Sequence, residues 1–350
     1  MHNSINHTRI DAVYACVPSQ EVKTVDYSNF TAEEAQVFTR NTGVVSRRVA
    51  ADNVTCSDLC FEAAMALLTD FNVKQEIDLL VFVSQSPDYF LPATSILLQE
   101  RLGLKDACLA FDVNLGCSGF VYGLNMVGQF IQSGAVKKAL FLVGDKSTIS
   151  TAVSDKSTFP LFGDAGTATL ISFDHSAASW HFDSGTDGSG KNAIIIEGGH
   201  SRNPYGTYSE ELIDYNGNKH SKSHLHLEGL DVFNFALARV PISIESVLNL
   251  ANTVKNDIDF YVLHQANGLI TKTIARKMGL PMDRLLSSIA HFGNTSSASI
   301  PLTLVVNSDI FKDNKTYSIV LSGFGVGFSW ASVYMELTFP ATKLITYGEV

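Results

Sequence analysis

The sequence predicts an α/β fold built from two similar halves, each a mostly parallel sheet covered by helices. Short, almost wholly apolar segments alternate with longer ones whose apolar residues recur every three or four positions. That alternation is typical of strands and helices that follow one another in a parallel sheet. The same order of segments recurs in the second half of the chain, and 350 residues with 45% apolar content suffice for an extensive core.

The predicted elements of the first half alternate along the chain. The strands are residues 10–17, 77–83, 139–143 and 162–173, and the helices are residues 28–39, 57–71 and 92–102. Residues 77–83 are apolar except for Asp78, as expected of a strand that is buried on both faces.

Cys117 follows a short apolar strand that ends near Asp112, and a helix is predicted to begin almost at the cysteine. The apolar residues of this helix fall on one face and are Phe120, Leu124, Val127 and Ile131. Gly134 ends the helix. In the first turn of a helix, unpaired backbone N–H groups and the helix dipole lower the pKa of a thiol. A cysteine in an apolar segment is also a common core residue, so this segment alone leaves open whether Cys117 is a nucleophile.

Four segments of the first half are matched, in the same order, by segments of the second half. Residues 77–84, 116–119, 138–144 and 162–166 correspond to residues 258–265, 293–298, 317–323 and 324–328. Four matches in one order favour duplication over the chance similarity of short apolar strands. Between them, residues 183–227 are rich in Gly, Ser, Asn and His, which predicts strands joined by long surface loops. The predicted halves are therefore residues 1–182 and 183–350.

Duplication brings three polar groups toward one centre. The turn at Asn294 takes the place of the Cys117 turn, and His264 closes a strand where the other copy has Val83. The carboxyl ends of parallel strands are where α/β proteins place their sites. A turn residue and a structural histidine are the simpler interpretations of Asn294 and His264. The glycines Gly323, Gly325 and Gly327 allow the backbone to approach closely enough for an N–H group to reach an oxyanion.

Four motifs together resemble the thiolase superfamily, and within it the β-ketoacyl–acyl-carrier-protein synthase III family. They are Leu-Gly-Cys-Ser-Gly-Phe at 115–120, Leu-Phe-Gly-Asp at 161–164, Leu-His-Gln-Ala-Asn at 263–267 and Gly-Asn-Thr-Ser-Ser-Ala-Ser-Ile-Pro at 293–301. The resemblance runs from about residue 10 to residue 337. It implies a thiolase-like duplicated fold, layered α-β-α-β-α, and a homodimer.

The resemblance also implies a decarboxylative Claisen condensation of an acyl thioester with malonyl–acyl carrier protein. Cys117 takes the acyl group, and His264 and Asn294 donate hydrogen bonds to the enolate formed when the malonyl group loses CO₂. The backbone N–H groups of Cys117 and Val326 form the oxyanion hole. Val326 stands where the family usually has glycine, so its dihedral angles must suit a β-branched residue. No cofactor is expected beyond the CoA or phosphopantetheine that carries each substrate.

Residues matching the family's substrate-binding and carrier-docking positions follow from the same resemblance. The substrate-binding positions are Gln36, Arg48, Leu91, Lys156, Gly229, Phe233, Asn267 and Phe324, and the carrier-docking cations are Lys272, Arg276 and Lys277. The family commonly clamps the adenine of CoA between a Trp and an Arg, where this chain has Gln36 and Lys156. An amide does not stack as an indole does, and Lys lacks the planar guanidinium. We therefore expect weak use of acetyl-CoA as the primer and a preference for another acyl donor, such as a carrier-bound one.

Three other classes of protein share part of this pattern around the cysteine. A papain-like protease has the same order of Cys, His and Asn, but its local cysteine signature is absent. A thiol hydrolase with a nucleophile elbow needs glycine where this chain has Leu115. A non-catalytic partner subunit needs none of the three polar residues. Within the family, a specialised acyltransferase and a quinolone- or ketone-forming enzyme stay open.

Composition restricts location and partners. The net charge of −10 and the lack of a basic stripe argue against nucleic-acid binding. No apolar run approaches membrane-spanning length, and the first twenty residues are polar. The five cysteines are an odd set without a disulfide framework, which predicts reduced thiols in the cytoplasm. No metal site is expected, because the histidines at 220, 224 and 226 lack a carboxylate or cysteine at ligand spacing.

Overall fold

In the computed structural model, which describes residues 1–215, 217–311 and 315–348, two large sheets are layered with helices. The strands are β1 (His2–Ile5), β2 (Thr8–Val17), β3 (Glu21–Lys23), β4 (Ser46–Arg48), β5 (Leu79–Val83), β6 (Leu109–Val113), β7 (Lys138–Lys146), β8 (Asp164–Phe173), β9 (Trp180–Thr186), β10 (Ile194–Ile195), β11 (Ile213–Tyr215), β12 (Asn218–His220), β13 (His226–Leu227), β14 (Phe260–Leu263), β15 (Leu285–Leu286), β16 (Thr316–Gly325), β17 (Ser329–Thr338) and β18 (Ala341–Thr346). The α-helices are α1 (Ala32–Thr42), α2 (Cys56–Phe71), α3 (Thr94–Leu102), α4 (Gly119–Gln132), α5 (Gly229–Leu250), α6 (Gly268–Met278), α7 (Ile289–Phe292) and α8 (Ser299–Val306).

Most strands of each large sheet point in the same direction, as predicted, but each sheet also contains at least one strand that runs the opposite way. The first sheet has the order β18-β2-β8-β7-β5-β6, and in the described chain only β8 runs against its neighbours. The second has the order β1-β9-β17-β16-β14-β15, in which β17 and β1 run against the others. Three residues join β16 to β17, and so short a connection allows only an antiparallel pair.

The order of strands confirms the duplication. Strands β2, β8, β7, β5 and β6 of the first sheet correspond in position to β9, β17, β16, β14 and β15 of the second. The outermost strands cross between the halves: β1 pairs with β9, and β18 pairs with β2. The predicted boundary between residues 182 and 183 falls within β9, so the division at that point stays a prediction.

The helices form three layers around the sheets, which confirms the α-β-α-β-α arrangement. Helices α4 and α8 lie between the sheets and contact strands of both, α2 and α3 cover the first sheet, and α5 covers the second with α6 packed beside it. The predicted inner face of α4 is fully buried, at Phe120, Leu124, Val127 and Ile131. Gly134, with φ of +81°, follows the helix as predicted. Across the described ranges, none of the helices combines the length and apolarity that a bilayer span requires.

Candidate active site

Cys117 lies in the turn between β6 and α4, two residues before the helix begins at Gly119. The side chain is only 6% exposed. Burial raises the pKa of the thiol to about 11, although a hydrogen bond from the Val326 backbone acts in the opposite direction and lowers it. The expectation that this position lowers the pKa is wrong for the free enzyme, because loss of water outweighs the helix terminus.

The backbone around Val326 meets the condition set by its β-branched side chain. Hydrogen bonds from the backbone of Val326 and of Cys117 itself reach the thiol and oppose the effect of burial on its pKa. The unusual dihedral angles fall on the flanking glycines, with φ of +156° at Gly325 and +128° at Gly327. A Cβ at Gly325 would lie 2.7 Å from the Cys117 Cβ, so this position requires glycine. Both predicted oxyanion donors are therefore at the cysteine, although their role stays a prediction.

His264 follows β14, where its backbone N–H donates to the Ser322 carbonyl. The ring is 1% exposed, and burial lowers its pKa to about 3, which keeps the imidazole neutral at physiological pH. Its Nδ1 lies 2.7 Å from Ser299 Oγ, and that oxygen also accepts from the Gln265 N–H. With the Ser299 proton directed to Nδ1, the ring carries its own proton on Nε2 and can donate it in a hydrogen bond. Phe324 packs edge-on against the ring, with centroids 5.6 Å apart.

Asn294 is held by both halves of the molecule. Its backbone N–H donates to the Leu161 carbonyl, and its carbonyl accepts from Gly163 N–H, at 2.9 and 3.0 Å. A Cβ at Gly163 would lie 2.2 Å from the Phe292 carbonyl oxygen, which explains the glycine of this motif. The side-chain Oδ1 accepts from Ser296 N–H at 2.9 Å, which orients the amide.

These three residues line one cavity of about 570 Å³. The predicted positions Gly229, Asn267, Phe324 and Val326 line it as well. Most of its remaining wall is apolar or aromatic and includes Tyr89, Phe90, Ile149, Ile196, Leu225 and Val232. A mostly apolar cavity that ends at a buried thiol suits an acyl chain.

Five of the predicted substrate-binding residues lie outside the wall of this cavity, and their roles stay predictions. They are Gln36, Arg48, Leu91, Lys156 and Phe233. Gln36 is exposed on α1, and Leu91 is 81% exposed. Arg48 Nη1 donates to the carbonyls of Pro18 and Ser19.

Lys156 is paired with an acidic residue. Its Nζ lies 2.7 Å from Glu34 Oε1, and this hydrogen bond lowers the pKa of Glu34. Glu34 is also in the capping box that starts α1, two residues before Gln36. The ion pair therefore joins Lys156 to the helix that carries Gln36.

The predicted carrier-docking cations share an exposed surface of α6. Lys272, Arg276 and Lys277 are all exposed, and Lys277 Nζ donates to the Leu237 carbonyl at 2.8 Å. Asn267 begins this helix by accepting from Ile270 N–H at 2.8 Å. The helix therefore places the cations and a cavity residue on one rigid element.

Two of the three histidines near residue 220 lie next to each other and to a carboxylate. His226 Nδ1 is 3.2 Å from His220 Nε2, and His226 Nε2 is 2.9 Å from Glu228 Oε1. In the ranges that the structure describes, no three His, Cys, Asp or Glu side chains are grouped as metal ligands would be.

Asp145 is a residue of the site that the sequence reasoning missed. It lies in β7, is 2% exposed and lines the same cavity as Cys117. The available signal was the Asp-Lys pair that directly follows the apolar segment at residues 139–144. The neighbouring Lys146 has a structural explanation, because its Nζ donates to the carbonyls of Ala51, Asp52 and Val54.

Two duplicated halves that meet at a buried cysteine, histidine and asparagine define a thiolase-like condensing enzyme. A family model for 3-oxoacyl-[acyl-carrier-protein] synthase III matches residues 111–188, and the model for its C-terminal part matches residues 248–337. The chain is 32% identical to β-ketoacyl-[acyl-carrier-protein] synthase III 2 of Staphylococcus epidermidis over 333 residues, which cover 94% of this chain and 98% of that protein. This chain belongs to the β-ketoacyl-[acyl-carrier-protein] synthase III family of acyltransferases.

Solved structures agree with that assignment. The 3-oxoacyl-(acyl-carrier protein) synthase of Burkholderia xenovorans LB400 superposes with a TM-score of 0.91 at 36% identity, covering 98% of this chain and 99% of that one. The 3-oxoacyl-(acyl carrier protein) synthase III of Pseudomonas aeruginosa PAO1 gives 0.81 at 28% identity, covering 95% and 98%. The thiolase-like fold class is thereby confirmed.

Proposed function

We propose that this enzyme joins an acyl group, carried on Cys117, to the two-carbon unit of malonyl–acyl carrier protein. The observation that carries the proposal is that Cys117, His264 and Asn294 are buried residues that line one cavity, with two backbone hydrogen bonds at the thiol. Membership of the family supports the same reaction.

In the first half-reaction, the Cys117 sulfur attacks the carbonyl carbon of an acyl thioester. The bond from that carbon to the carrier sulfur breaks, and the carrier thiol leaves with a proton. Negative charge on the carbonyl oxygen is stabilised by the N–H groups of Cys117 and Val326, which are fixed before the substrate arrives. Exchange between two thioesters is nearly neutral in free energy, so the acyl-enzyme forms without another energy source.

In the second half-reaction, the malonyl thioester loses CO₂, and the electrons of the broken bond form an enolate. His264 Nε2 and Asn294 Nδ2 donate hydrogen bonds to the enolate oxygen. The enolate carbon then attacks the acyl carbon, the bond to Cys117 breaks, and a β-ketoacyl product leaves on the carrier protein. A histidine with a pKa of about 3 suits this donor role, since it stays neutral throughout the physiological range.

Intact-mass spectrometry after incubation with a panel of acyl-CoA and acyl-carrier thioesters tests the proposal. We expect one acyl group per chain, mapped to Cys117, and no adduct on Cys117→Ala. An adduct on Cys16, Cys56, Cys60 or Cys108 instead, all of which are buried free thiols, would contradict it.

The primer is proposed to be an acyl donor other than acetyl-CoA, such as one held by a carrier protein. Lys156 stands where the family has an adenine-stacking Arg, and its ammonium is already paired with Glu34. Neither Lys156 nor Gln36 has a planar group on which adenine could stack as it does on Trp and Arg. Losing one stacking partner weakens base binding by about 1–3 kcal/mol, by analogy with nucleic-acid sites. Acylation rates for one acyl group on CoA and on carrier protein decide this, and a micromolar KM for acetyl-CoA with no gain from the carrier would overturn it. A specialised acyltransferase or a quinolone- or ketone-forming enzyme is the second candidate that this departure supports.

A homodimer is proposed from the edge of the first sheet. Strand β6 ends that sheet and is only partly buried along its length, whereas β5 beside it is fully buried. Exposed apolar side chains lie on β6, on α3 and on the loop before α3, at Leu109, Ile96, Tyr89, Phe90 and Leu91. A second copy that pairs along β6 would continue the sheet and cover these side chains.

The cytoplasm is the proposed location, since all five cysteines are free thiols.

A further inference from the structure

A buried pair of hydroxyl groups joins the two turns that meet at Cys117. Ser118, the residue after the cysteine, and Ser329, the first residue of β17, are 1% and 3% exposed, and their Oγ atoms lie 2.7 Å apart. The two serines are 211 residues apart in the chain, so this hydrogen bond connects the β6–α4 turn of the first half to the β16–β17 turn of the second. Neither hydroxyl has a role in the half-reactions described above.

The direction of these hydrogen bonds follows from the number of protons. Ser329 Oγ also lies 2.8 Å from the Val326 carbonyl oxygen, which can only accept, so the single hydroxyl proton of Ser329 is directed there. Ser118 must then donate to Ser329 Oγ. Two hydrogen bonds therefore run in series from Ser118 through Ser329 to the backbone of Val326.

Ser118 does not cap its helix, although it stands at the N-cap position of α4. A serine side chain at this position commonly accepts from a backbone N–H of the first helical turn, but the side chain of Ser118 makes no such bond. Its hydroxyl is bonded to the other half of the molecule instead. A bond between the halves thus replaces the helix cap at the residue next to Cys117.

The backbone at Val326 needs a restraint of this kind. Val326 lies between Gly325 and Gly327, whose φ angles of +156° and +128° are open to glycine alone and leave the turn adaptable. Gly325 pairs with Ser329 in the β16–β17 ladder, and the Val326 carbonyl is held by the Ser329 hydroxyl, so Ser329 fixes the chain on both sides of the Val326 N–H. The turn lies directly against the cysteine, because a Cβ on Gly325 would be 2.7 Å from Cys117 Cβ.

We propose that Ser118 and Ser329 are positioning residues that hold the oxyanion hole in shape. Their two hydrogen bonds fix the Val326 N–H relative to the Cys117 N–H, so that both groups converge on the oxygen of the acyl group under attack. This inference rests on the proposed acylation of Cys117, with these two N–H groups as its oxyanion donors. Since such donors act on charge that develops in the transition state, loss of either hydroxyl should slow acylation without weakening the binding of the acyl thioester.

Ser329→Ala tests the proposal, with Ser332→Ala as its matched control. Ser332 lies on the same strand, is fully buried and forms a hydroxyl pair with Ser322 at 2.8 Å, so its replacement removes a similar bond away from the Val326 turn. Acylation of Cys117 is followed by rapid quench and intact mass over a concentration series. The probe is whichever of the acetyl, butyryl and octanoyl thioesters, on CoA or on carrier protein, labels the native enzyme fastest.

Ser329→Ala should lower the saturating rate of acylation by about ten- to a hundredfold, as for a small misplacement of catalytic groups, and leave the half-saturating concentration unchanged. Ser118→Ala keeps the bond from Ser329 to Val326, so its rate should fall in the same way but by less. It also supplies the test if Ser329→Ala does not fold. Ser332→Ala should acylate at the native rate.

Two other measurements separate positioning from general damage to the site. Alkylation of Cys117 by iodoacetamide needs the thiol but forms no oxyanion, and decarboxylation of the malonyl thioester relies on His264 and Asn294. Both rates should therefore stay native in Ser329→Ala. A structural disturbance would lower them together with the rate of acylation.

A native acylation rate in Ser329→Ala or Ser118→Ala would overturn the inference, as would an equal loss in Ser332→Ala or a parallel loss of alkylation and decarboxylation. If the native enzyme forms no acyl adduct with any thioester, the proposed function fails and this inference fails with it. An adduct that forms equally fast in the native enzyme and in every variant overturns this inference alone.

Discussion

At the scale of single residues, burial determines the chemistry of this site more than helix dipoles do. Cys117 and His264 are both nearly inaccessible, and both are held in their neutral forms. Neutrality suits His264, which is to donate a hydrogen bond, whereas Cys117 must lose its proton before its sulfur can attack. Burial therefore favours the decarboxylation of the malonyl group, in which His264 donates a hydrogen bond, and disfavours acylation, in which Cys117 must lose its proton.

Asn294 is expected to matter for the second half-reaction only. Loss of the Nδ2 donor in Asn294→Asp should lower malonyl decarboxylation by about 10²-fold or more, as for loss of an oxyanion donor. This variant keeps an oxygen to accept from Ser296 N–H, so the turn is retained. Acylation of Cys117, followed by intact mass, should fall much less. An equal collapse of both half-reactions would mean that Asn294 is structural.

His264 is expected to make folding stability depend on pH. Its pKa is about 3 in the folded chain and about 6.5 when unfolded, so the unfolded chain binds the extra proton between those values. The free energy of unfolding should therefore fall as the pH drops through this window, by up to about 1.4 kcal/mol per pH unit from this residue.

Urea unfolding of the native enzyme and of His264→Gln, at pH 7 and pH 5, isolates that contribution. Asp145 and Asp164, whose pKa values burial raises, act in the opposite direction but cancel in the difference between the two proteins. Equal pH dependence in both proteins would show that His264 is not desolvated in solution.

The sequence was sufficient to bring Cys117, His264 and Asn294 together, because duplication equates the turns that carry them. It was not sufficient for Asp145, whose hydrogen-bond donors lie 60, 61 and 152 residues away. A lone acid at the end of an apolar strand has no periodic signal. The position of Lys156 was predicted without its partner, since Glu34 is 122 residues distant.

At the scale of secondary-structure elements, helix starts were the least accurate predictions. Helix α1 begins at Ala32 rather than residue 28, because Thr31 and Glu34 form a capping box, a signal present in the sequence. Helix α3 begins at Thr94 rather than residue 92, and its first N–H groups are bound by a residue of another element. Asp112 of β6 accepts from Thr94 and Ser95 N–H at 2.7 and 2.8 Å.

Asp112→Ala is expected to destabilise the protein through α3. It leaves two helix N–H groups without an acceptor and should lower the free energy of unfolding by about 1–2 kcal/mol, as for loss of an N-cap. Chemical denaturation measures this, with Thr31→Ala as a matched loss of a cap on α1. A change below about 0.3 kcal/mol in Asp112→Ala alone would indicate that water replaces the carboxylate there.

At the scale of the whole molecule, the layers and the repeat were predictable and the pairing of the outermost strands was not. Alternating apolar segments determine which elements form, whereas partners such as β1 with β9 are chosen by contacts far apart in the chain. The antiparallel pairing of β8 with β2 and β7 likewise depends on how the chain connects these strands, which amino-acid composition does not reveal.

The free edge of β6 gives a prediction for assembly. Leu109→Lys places a charge at the proposed interface and should raise the dissociation constant of the dimer by tenfold or more. Val254, which is similarly exposed but lies between α5 and β14, provides the control Val254→Lys. Sedimentation velocity over a concentration series measures both. Equal dimerisation of the two variants, or a native monomer at micromolar concentration, would contradict the proposal.

The exchange of terminal strands has a consequence for synthesis on the ribosome. Strand β2 is complete by Val17 and pairs with β8, which ends at Phe173, but its other neighbour β18 begins only at Ala341. At 5–20 residues per second, the ribosome takes roughly 10 to 35 s to make the chain between those points. Throughout that time the first sheet has an open, apolar edge at β2, which is the kind of surface that chaperones cover and that nascent chains use to aggregate.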